Sequence, residues 1–136
     1  MKILISFMVL IAAQMSYACP VLEGADLSDG EDESPIYTKG ERIPVSLTQA
    51  EFNKVPVYAS TGNDYESCQG ALVLQKLEIK KTKQVFYALL STEDICDGGN
   101  SSGALFSADL KTLIGDIGDS FISCRKTPVR LDLSKK

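Results

Sequence analysis

The residues with the clearest capacity for chemistry in this sequence are paired carboxylates. Three pairs of acids lie close together along the chain: Asp64 with Glu66, Glu93 with Asp94, and Asp116 with Asp119. One carboxyl group acting as an acid and a second acting as a base or nucleophile can hydrolyse a glycosidic bond. Acids beside turns are also ordinary surface residues, and the chain has no tryptophan to stack against a sugar, a role that Tyr65 fills only in part. A carboxylate-dependent glycan hydrolase is therefore an alternative function and not the leading one.

Other catalytic strategies find little support in the composition. Histidine is absent, so no imidazole can act as a general base or bind a metal. The cysteines have no Cys-x-x-Cys spacing, which argues against a thioredoxin-like redox motif and a zinc knuckle. The glycine-rich stretch Asp97–Gly103 lacks the lysine and hydroxyl residue of a phosphate-binding loop. We expect no cofactor and no metal. The composition therefore favours a non-catalytic function over an enzymatic one.

The N-terminus has the layout of a secretion signal. Lys2 precedes an uncharged apolar run of 11 residues, Ile3–Ala13, and Ser16 and Ala18 fit the positions before a cleavage site. A membrane-spanning helix needs about 20 apolar residues, so this run is too short to be one. The sequence predicts a signal peptide over residues 1–18 and a periplasmic or extracellular mature chain.

The charge of the mature chain limits its partners. Removal of residues 1–18 leaves 13 basic and 18 acidic side chains, a net charge of −5. Nucleic acid and anionic membrane surfaces are negative as well, so neither is an expected partner. The local basic groups, Lys80 to Lys83 and residues 125–136, are interpreted as a solvated turn and tail. We expect a protein partner.

Four cysteines in an exported chain favour two disulfides. The stretches Gly70–Lys80 and Gln84–Ser91 predict a β-hairpin that turns at Thr82, and this folding places Cys68 opposite Cys96. Directly opposed strand residues have Cβ atoms about 4.5 to 5.5 Å apart, close to the separation in a disulfide. The prediction is a bridge between Cys68 and Cys96.

This register is the weakest part of the prediction. It places Leu77 opposite Tyr87, and it needs a three-residue turn ending at Lys83, where glycine is preferred. A slip of one residue would move every side chain to the other face of the hairpin.

By elimination, Cys19 pairs with Cys124. The alternative is that Cys19 is the acylated first residue of a lipoprotein, which would make the protein a lipid-anchored structural component of the envelope. Ser16 stands where a lipoprotein signal has leucine, and acylation would leave one unpaired thiol among the remaining cysteines. Cleavage followed by pairing is therefore favoured, with no membrane association unless Cys19 is lipidated.

The mature chain is expected to hold an acidic flexible arm over residues 19–34 and a single globular domain over residues 35–136. The predicted elements are an edge strand in Ile36–Val45, a helix in Ser46–Lys54 with Ser46 and Gln49 as its capping box, a strand at Val57–Ala59, a helix over Ser107–Ile114 stopped by Gly115, and strands at Ser120–Arg125 and Val129–Leu133. The fold class is α+β and β-dominated, a small antiparallel sheet or barrel of about five to six strands with one or two short helices, held by two disulfides.

Two loops beside the predicted hairpin are the expected binding surface. They cover Ser60–Ser67 and Asp97–Gly103, and the residues proposed to contact a partner are Asn63, Asp64, Tyr65, Asn100 and Ser101. Loops on a bridged domain are held rigidly, which lowers the entropic cost of binding. The leading function is an exported, disulfide-stabilised, non-catalytic binding or inhibitor module that acts on an envelope or extracellular protein.

Overall fold

A computed structural model describes residues 19–27, 34–61, 72–91 and 102–136 of the chain. Six strands form one antiparallel sheet in which every strand lies beside its neighbour in sequence. The strands are β1 (Tyr37–Pro44), β2 (Leu72–Ile79), β3 (Val85–Ser91), β4 (Gly103–Phe106), β5 (Thr112–Gly118) and β6 (Phe121–Arg130), and the helices are α1 (Gln49–Lys54) and α2 (Pro56–Thr61). The prediction of a β-dominated α+β fold is confirmed in this broad form.

Both faces of the sheet carry buried apolar side chains. On one face, Phe52 of α1 and Tyr58 of α2 pack over the strands in a single cluster. On the other face, Leu22 and Leu27 of the N-terminal segment pack against a second cluster. A strand that is covered on both sides reads as a nearly continuous apolar run and not as an alternating pattern. Two-sided burial therefore hides a strand such as β5 from a search for alternating apolar and polar residues.

The predicted register of the β2–β3 hairpin is wrong by one residue. Leu77 lies opposite Phe86 and not opposite Tyr87. The amide of Ile79 donates to the carbonyl of Gln84 at 2.8 Å, so the turn begins at residue 80 and is one residue longer than predicted. Lys83 takes the left-handed conformation, with φ of 63°, at the position where glycine is preferred. The geometric reason for placing Cys68 opposite Cys96 therefore no longer holds.

The helix predicted over Ser107–Ile114 is also wrong, because these residues form the turn between β4 and β5 and the start of β5. Ser107 donates its amide to the carbonyl of Thr112, and Leu110 has φ of 61°. The helix-like spacing of apolar residues arises because Leu113 is buried on one face and Ile114 on the other. Gly115 lies within β5, and its φ is not in the left-handed region expected of a helix stop.

The helical region is confirmed in α1, with its start shifted. Thr48 and Glu51 form the capping box, with the amide of Glu51 donating to Thr48 Oγ1 at 3.1 Å and the amide of Thr48 donating to Glu51 Oε1 at 2.7 Å. Ser46 and Gln49 were predicted for these roles. The predicted strand at Val57–Ala59 is wrong because Pro56 opens α2, where its fixed φ suits the first helical position.

The edge strand predicted in Ile36–Val45 is confirmed as β1. It contains a bulge between Lys39 and Arg42, next to Gln75 on β2, which is the partner of Arg42. Gln75 is only 3% exposed, and its amide nitrogen donates to the carbonyl of Gly40 at 2.8 Å while its oxygen accepts from Arg42 Nε at 2.7 Å. A bulge interrupts the backbone ladder, so this side chain replaces lost hydrogen bonds.

Residues 19–27 pack against the sheet, although the sequence predicts a flexible arm there. Cys19–Leu22 form a short 3₁₀ helix, and Asp26 makes an antiparallel bridge with Phe121 at the start of β6. The hydroxyl of Tyr37 on β1 donates to the carbonyl of Asp26 at 2.6 Å. The segment therefore contacts both the first and the last strand of the sheet.

Candidate functional site

Most residues that the sequence nominates for function lie outside the described ranges. They are the predicted contact residues Asn63, Asp64, Tyr65, Asn100 and Ser101, the cysteines Cys68 and Cys96, and the predicted signal peptide at residues 1–18. Their pairing and contacts stay predictions. The described strands that flank them do define where these segments attach.

The attachment points share one end of the sheet. Leu72, at the start of β2, lies opposite Ser91, at the end of β3. Leu90 lies opposite Gly103, at the start of β4. The stretches 62–71 and 92–101 thus connect to neighbouring strand ends, which we call the loop end of the sheet and define by Leu72, Ser91 and Gly103.

Tight packing fixes the loop end. The buried hydroxyl of Tyr58 donates to the carbonyl of Ser102 at 3.0 Å, and the Tyr58 ring stacks on Phe52 with 5.0 Å between ring centroids. A Cβ atom on Gly103 would lie 1.7 Å from the carbonyl oxygen of Leu89, so only glycine fits there. Helix α2 and the sheet therefore hold the entry to β4 in one position.

The disulfide between Cys19 and Cys124 is present, with an S–S distance of 2.06 Å. Gly115 on β5 lies opposite Cys124 on β6, and a Cβ atom on Gly115 would be 3.5 Å from the sulfur of Cys19. The amide of Cys124 donates to a carboxylate oxygen of Glu23 at 2.6 Å. The N-terminal segment is thus joined to β6 by both a covalent bond and a charge-assisted hydrogen bond.

Of the predicted carboxylate pairs, the described residues include Asp116 with Asp119. Asp116 Oδ2 accepts from Arg125 Nη1 at 2.9 Å across β5 and β6, and its Oδ1 is buried with no hydrogen-bond partner in the described part of the chain. Asp119 and Ser120 have φ of 51° and 72°, as the two central residues of a type I′ hairpin turn require. Asp116 therefore links two strands, and Asp119 lies in the turn that joins them.

An open cleft of about 440 Å³ lies at the opposite end of β3 from the loop end. Its lining residues come from the start of β3, the β4–β5 turn, the start of β5 and the second half of β6: Gln84, Val85, Phe86, Ser107, Ala108, Asp109, Thr112, Ile114 and Pro128. Small-molecule sites typically measure about 300 to 1,000 Å³ and are mostly apolar with a few polar groups. No local sequence pattern marks this cleft, because its residues come together only through the pairing of β4, β5 and β6, and part of this region is predicted as the helix Ser107–Ile114.

Among the described residues that line the cleft, one carries a carboxylate, Asp109, and it is hydrogen-bonded within the β4–β5 turn. Asp109 Oδ1 accepts from Ser107 Oγ at 2.6 Å and from the amide of Lys111 at 3.0 Å. The Ser107 hydrogen bond first, and the Lys111 amide second, lower the pKa of Asp109 below its usual range. Asp109 is therefore ionised at neutral pH, and its charge stabilises the turn.

Comparison with known proteins gives no match to a family model, to a curated protein or to a solved structure. No described helix is long and apolar enough to cross a membrane. Within the described ranges, histidine, cysteine and acidic side chains form no group of three or more that could hold a metal ion. A disulfide bond is compatible with an oxidising, exported compartment.

Proposed function

We propose that the protein is an exported, disulfide-stabilised, non-catalytic binding or inhibitor module whose partner is an envelope or extracellular protein. The observation that carries this proposal is the strand register at the loop end, where Leu72 lies opposite Ser91 and Leu90 opposite Gly103. One predicted contact stretch, Asp97–Gly103, ends at Gly103, and the other, Ser60–Ser67, is followed by Leu72 after four residues of the chain. A partner could therefore engage them together.

The rigidity of the loop end supports recognition. Tyr58 is fully buried and holds Ser102 through its hydroxyl group. Loops whose ends are fixed lose less conformational entropy when they bind, and this loss is a main cost of protein association.

The disulfide supports the unanchored form of the protein. The sulfur of Cys19 is bonded to Cys124, and a sulfur in a disulfide cannot also carry a lipid thioether. The lipid-anchored envelope protein requires a Cys19 sulfur free of Cys124, so it is the less favoured alternative.

The packing of Asp116 weakens the glycan hydrolase alternative for this pair of acids. One oxygen of Asp116 is bonded to Arg125, and the other is buried. A pair of catalytic carboxyl groups must both reach the scissile bond, at about 5 to 9.5 Å from each other. Hydrolysis of a glycan panel by the folded, oxidised protein would favour this alternative over the binding function.

The binding function is tested by capture of a partner from envelope extract with the mature protein as bait. Alanine at Tyr65 and at Asn100 should each reduce recovery of the same partner. Alanine at Lys81, an exposed residue in the turn at the far end of β2, is the matched control and should leave recovery unchanged. Equal recovery with all three variants, or no specific capture at several salt concentrations, would contradict the proposal.

A further inference from the structure

The cleft at the far end of β3 has an apolar floor. Phe86 and Ile114 are buried members of the second apolar cluster, on the face that residues 19–27 also contact. Pro128 of β6 is exposed on the cleft wall. The cleft therefore offers apolar contact area at its base and opens to solvent above it.

Basic residues adjoin the residues that line this cleft. Lys83 and Lys111 each directly precede a lining residue, Gln84 and Thr112 respectively. All four residues of what we call the basic rim, Lys83, Lys111, Lys126 and Arg130, are exposed.

The strand geometry directs two members of the rim toward the cleft. Lys126 and Arg130 lie two positions before and after Pro128, and side chains two apart in a strand share a face. Arg130 is also opposite Thr112, which lines the cleft, and directly opposed residues lie on the same face. Two independent relationships therefore place Arg130 on the side of the opening.

The charge at the rim is opposite in sign to the charge of the chain. Two carboxylates lie near Lys111: the hydrogen bond from Ser107 lowers the pKa of Asp109 and the hydrogen bond from Ser134 lowers that of Asp132, with the charge of Lys111 as a smaller cause for both. The four cations of the rim and these two carboxylates give a local charge of +2. The whole chain has a formal charge of −4. In the described part of the chain, ion pairs join Arg125 to Asp116 and Lys136 to Glu51, and none involves the basic rim.

We propose that this cleft binds a small amphiphilic anion, a free medium-chain fatty-acid carboxylate. Its aliphatic chain contacts Phe86, Ile114 and Pro128, and its carboxylate lies among Lys126, Arg130 and Lys111. Apolar burial supplies the attraction for the chain, and charge-assisted hydrogen bonds at the rim select an anionic head group. This ligand site lies at the opposite end of β3 from the proposed protein-binding loops and does not depend on them.

The test uses the mature, oxidised protein and three ten-carbon probes below their micelle concentrations: decanoate, decanol and decyltrimethylammonium. Titration followed by ¹H–¹⁵N NMR should show saturable shifts for decanoate at residues 84–86, 107–114 and 130, with weaker binding of decanol and the weakest binding of the cation. Binding of decanoate should also weaken as salt is added. Equal or tighter binding of decyltrimethylammonium, or shifts confined to other parts of the sheet, would overturn the proposal.

Two variants and a control separate the rim from the cleft floor. Arg130→Gln should weaken decanoate binding about fivefold or more while leaving decanol binding unchanged. Ala108→Trp, at an exposed lining position, should fill the cleft and weaken both probes. Lys54→Gln removes an exposed charge on α1 and should change neither. Unchanged decanoate binding in both cleft variants would contradict the proposal, as would binding of anionic lipid vesicles without binding of decanoate.

Discussion

Cys19 and Cys124 are joined by a disulfide across a sequence separation of 105 residues. The bond fixes the N-terminal segment to β6, beside the hydrogen bond from the Cys124 amide to Glu23. Leu22 and Leu27 of this segment are buried against the sheet. The disulfide therefore holds a part of the apolar core in place, in addition to restricting the unfolded chain.

Loss of this disulfide should cost much of the stability. A loop of about 105 residues has a chain-entropy contribution of about 4.8 kcal/mol, out of a typical stability of about 5 to 15 kcal/mol. Replacing both Cys19 and Cys124 by serine should lower the free energy of unfolding by about 2 to 5 kcal/mol in urea titrations. A double variant as stable as the oxidised wild type would contradict a structural role for the bond.

Gly103 should not tolerate a larger residue. A Cβ atom there would lie 1.7 Å from the carbonyl oxygen of Leu89, so β3 and β4 would have to separate. Gly103→Ala should destabilise the protein by more than about 2 kcal/mol in thermal or urea unfolding. Gly118→Ala is the matched control, because a Cβ atom at Gly118 meets nothing within 4 Å, and it should change stability by less than about 0.5 kcal/mol. Equal effects at the two glycines would contradict the described packing.

The Tyr58 hydroxyl should stabilise the fold through its hydrogen bond to the carbonyl of Ser102. Tyr58→Phe keeps the stacked ring but leaves a buried carbonyl without this donor, at a cost of about 1 to 3 kcal/mol. Tyr87→Phe makes the same chemical change on β3, at a half-buried residue with no side-chain hydrogen bond in the described part of the chain, and should cost less than about 0.5 kcal/mol. Parallel urea titrations compare them, and a smaller loss for Tyr58→Phe than for Tyr87→Phe would count against the bond.

The C-terminus should make the stability depend on pH through Glu51. Burial alone would raise the pKa of Glu51, but hydrogen bonds from Lys136 and with Thr48 outweigh it and lower the pKa from its ordinary value of 4.5. A carboxyl group with a lowered folded-state pKa stabilises the protein fully above its unfolded-state pKa and loses this effect as the pH falls through the folded-state value. Stability should therefore fall as the pH drops below about 4.5.

Two variants test this assignment. Glu51→Gln should lower stability near neutral pH by about 1 kcal/mol and make the acid dependence shallower. Lys136→Gln removes the ion pair but keeps the capping box, so its effect should be smaller in the same direction. Unfolding titrations between pH 3 and pH 7 compare the two, and an acid dependence that is unchanged by Glu51→Gln would exclude this carboxylate as its source.

Sequence reasoning succeeded where a local signal was decisive. The β2–β3 hairpin, the edge strand β1 and a helix in Ser46–Lys54 follow from apolar runs, breakers and capping residues, and the structure contains all three. The predicted pairing of Cys19 with Cys124 is present, although its derivation by elimination depends on a hairpin register that is wrong by one residue.

The errors have separate physical causes. Leu113 and Ile114 are consecutive and are buried on opposite faces of the sheet, which produces the apolar spacing of a helix without one. Lys83 and Leu110 take left-handed conformations, in which glycine is the usual residue. Neither turn therefore contains the glycine that would mark it in the sequence. The cleft and its basic rim depend on pairing between distant parts of the chain, such as Thr112 opposite Arg130. No local sequence pattern indicates such pairing.

The most direct test of the account is peptide mapping of the mature protein under non-reducing conditions. We expect one linked pair of peptides that contains Cys19 and Cys124, with an unmodified Cys19 at or near the new N-terminus. A linkage of Cys19 to Cys68 or Cys96, or a Cys19 peptide that carries a lipid, would contradict the attachment of the N-terminal segment to β6.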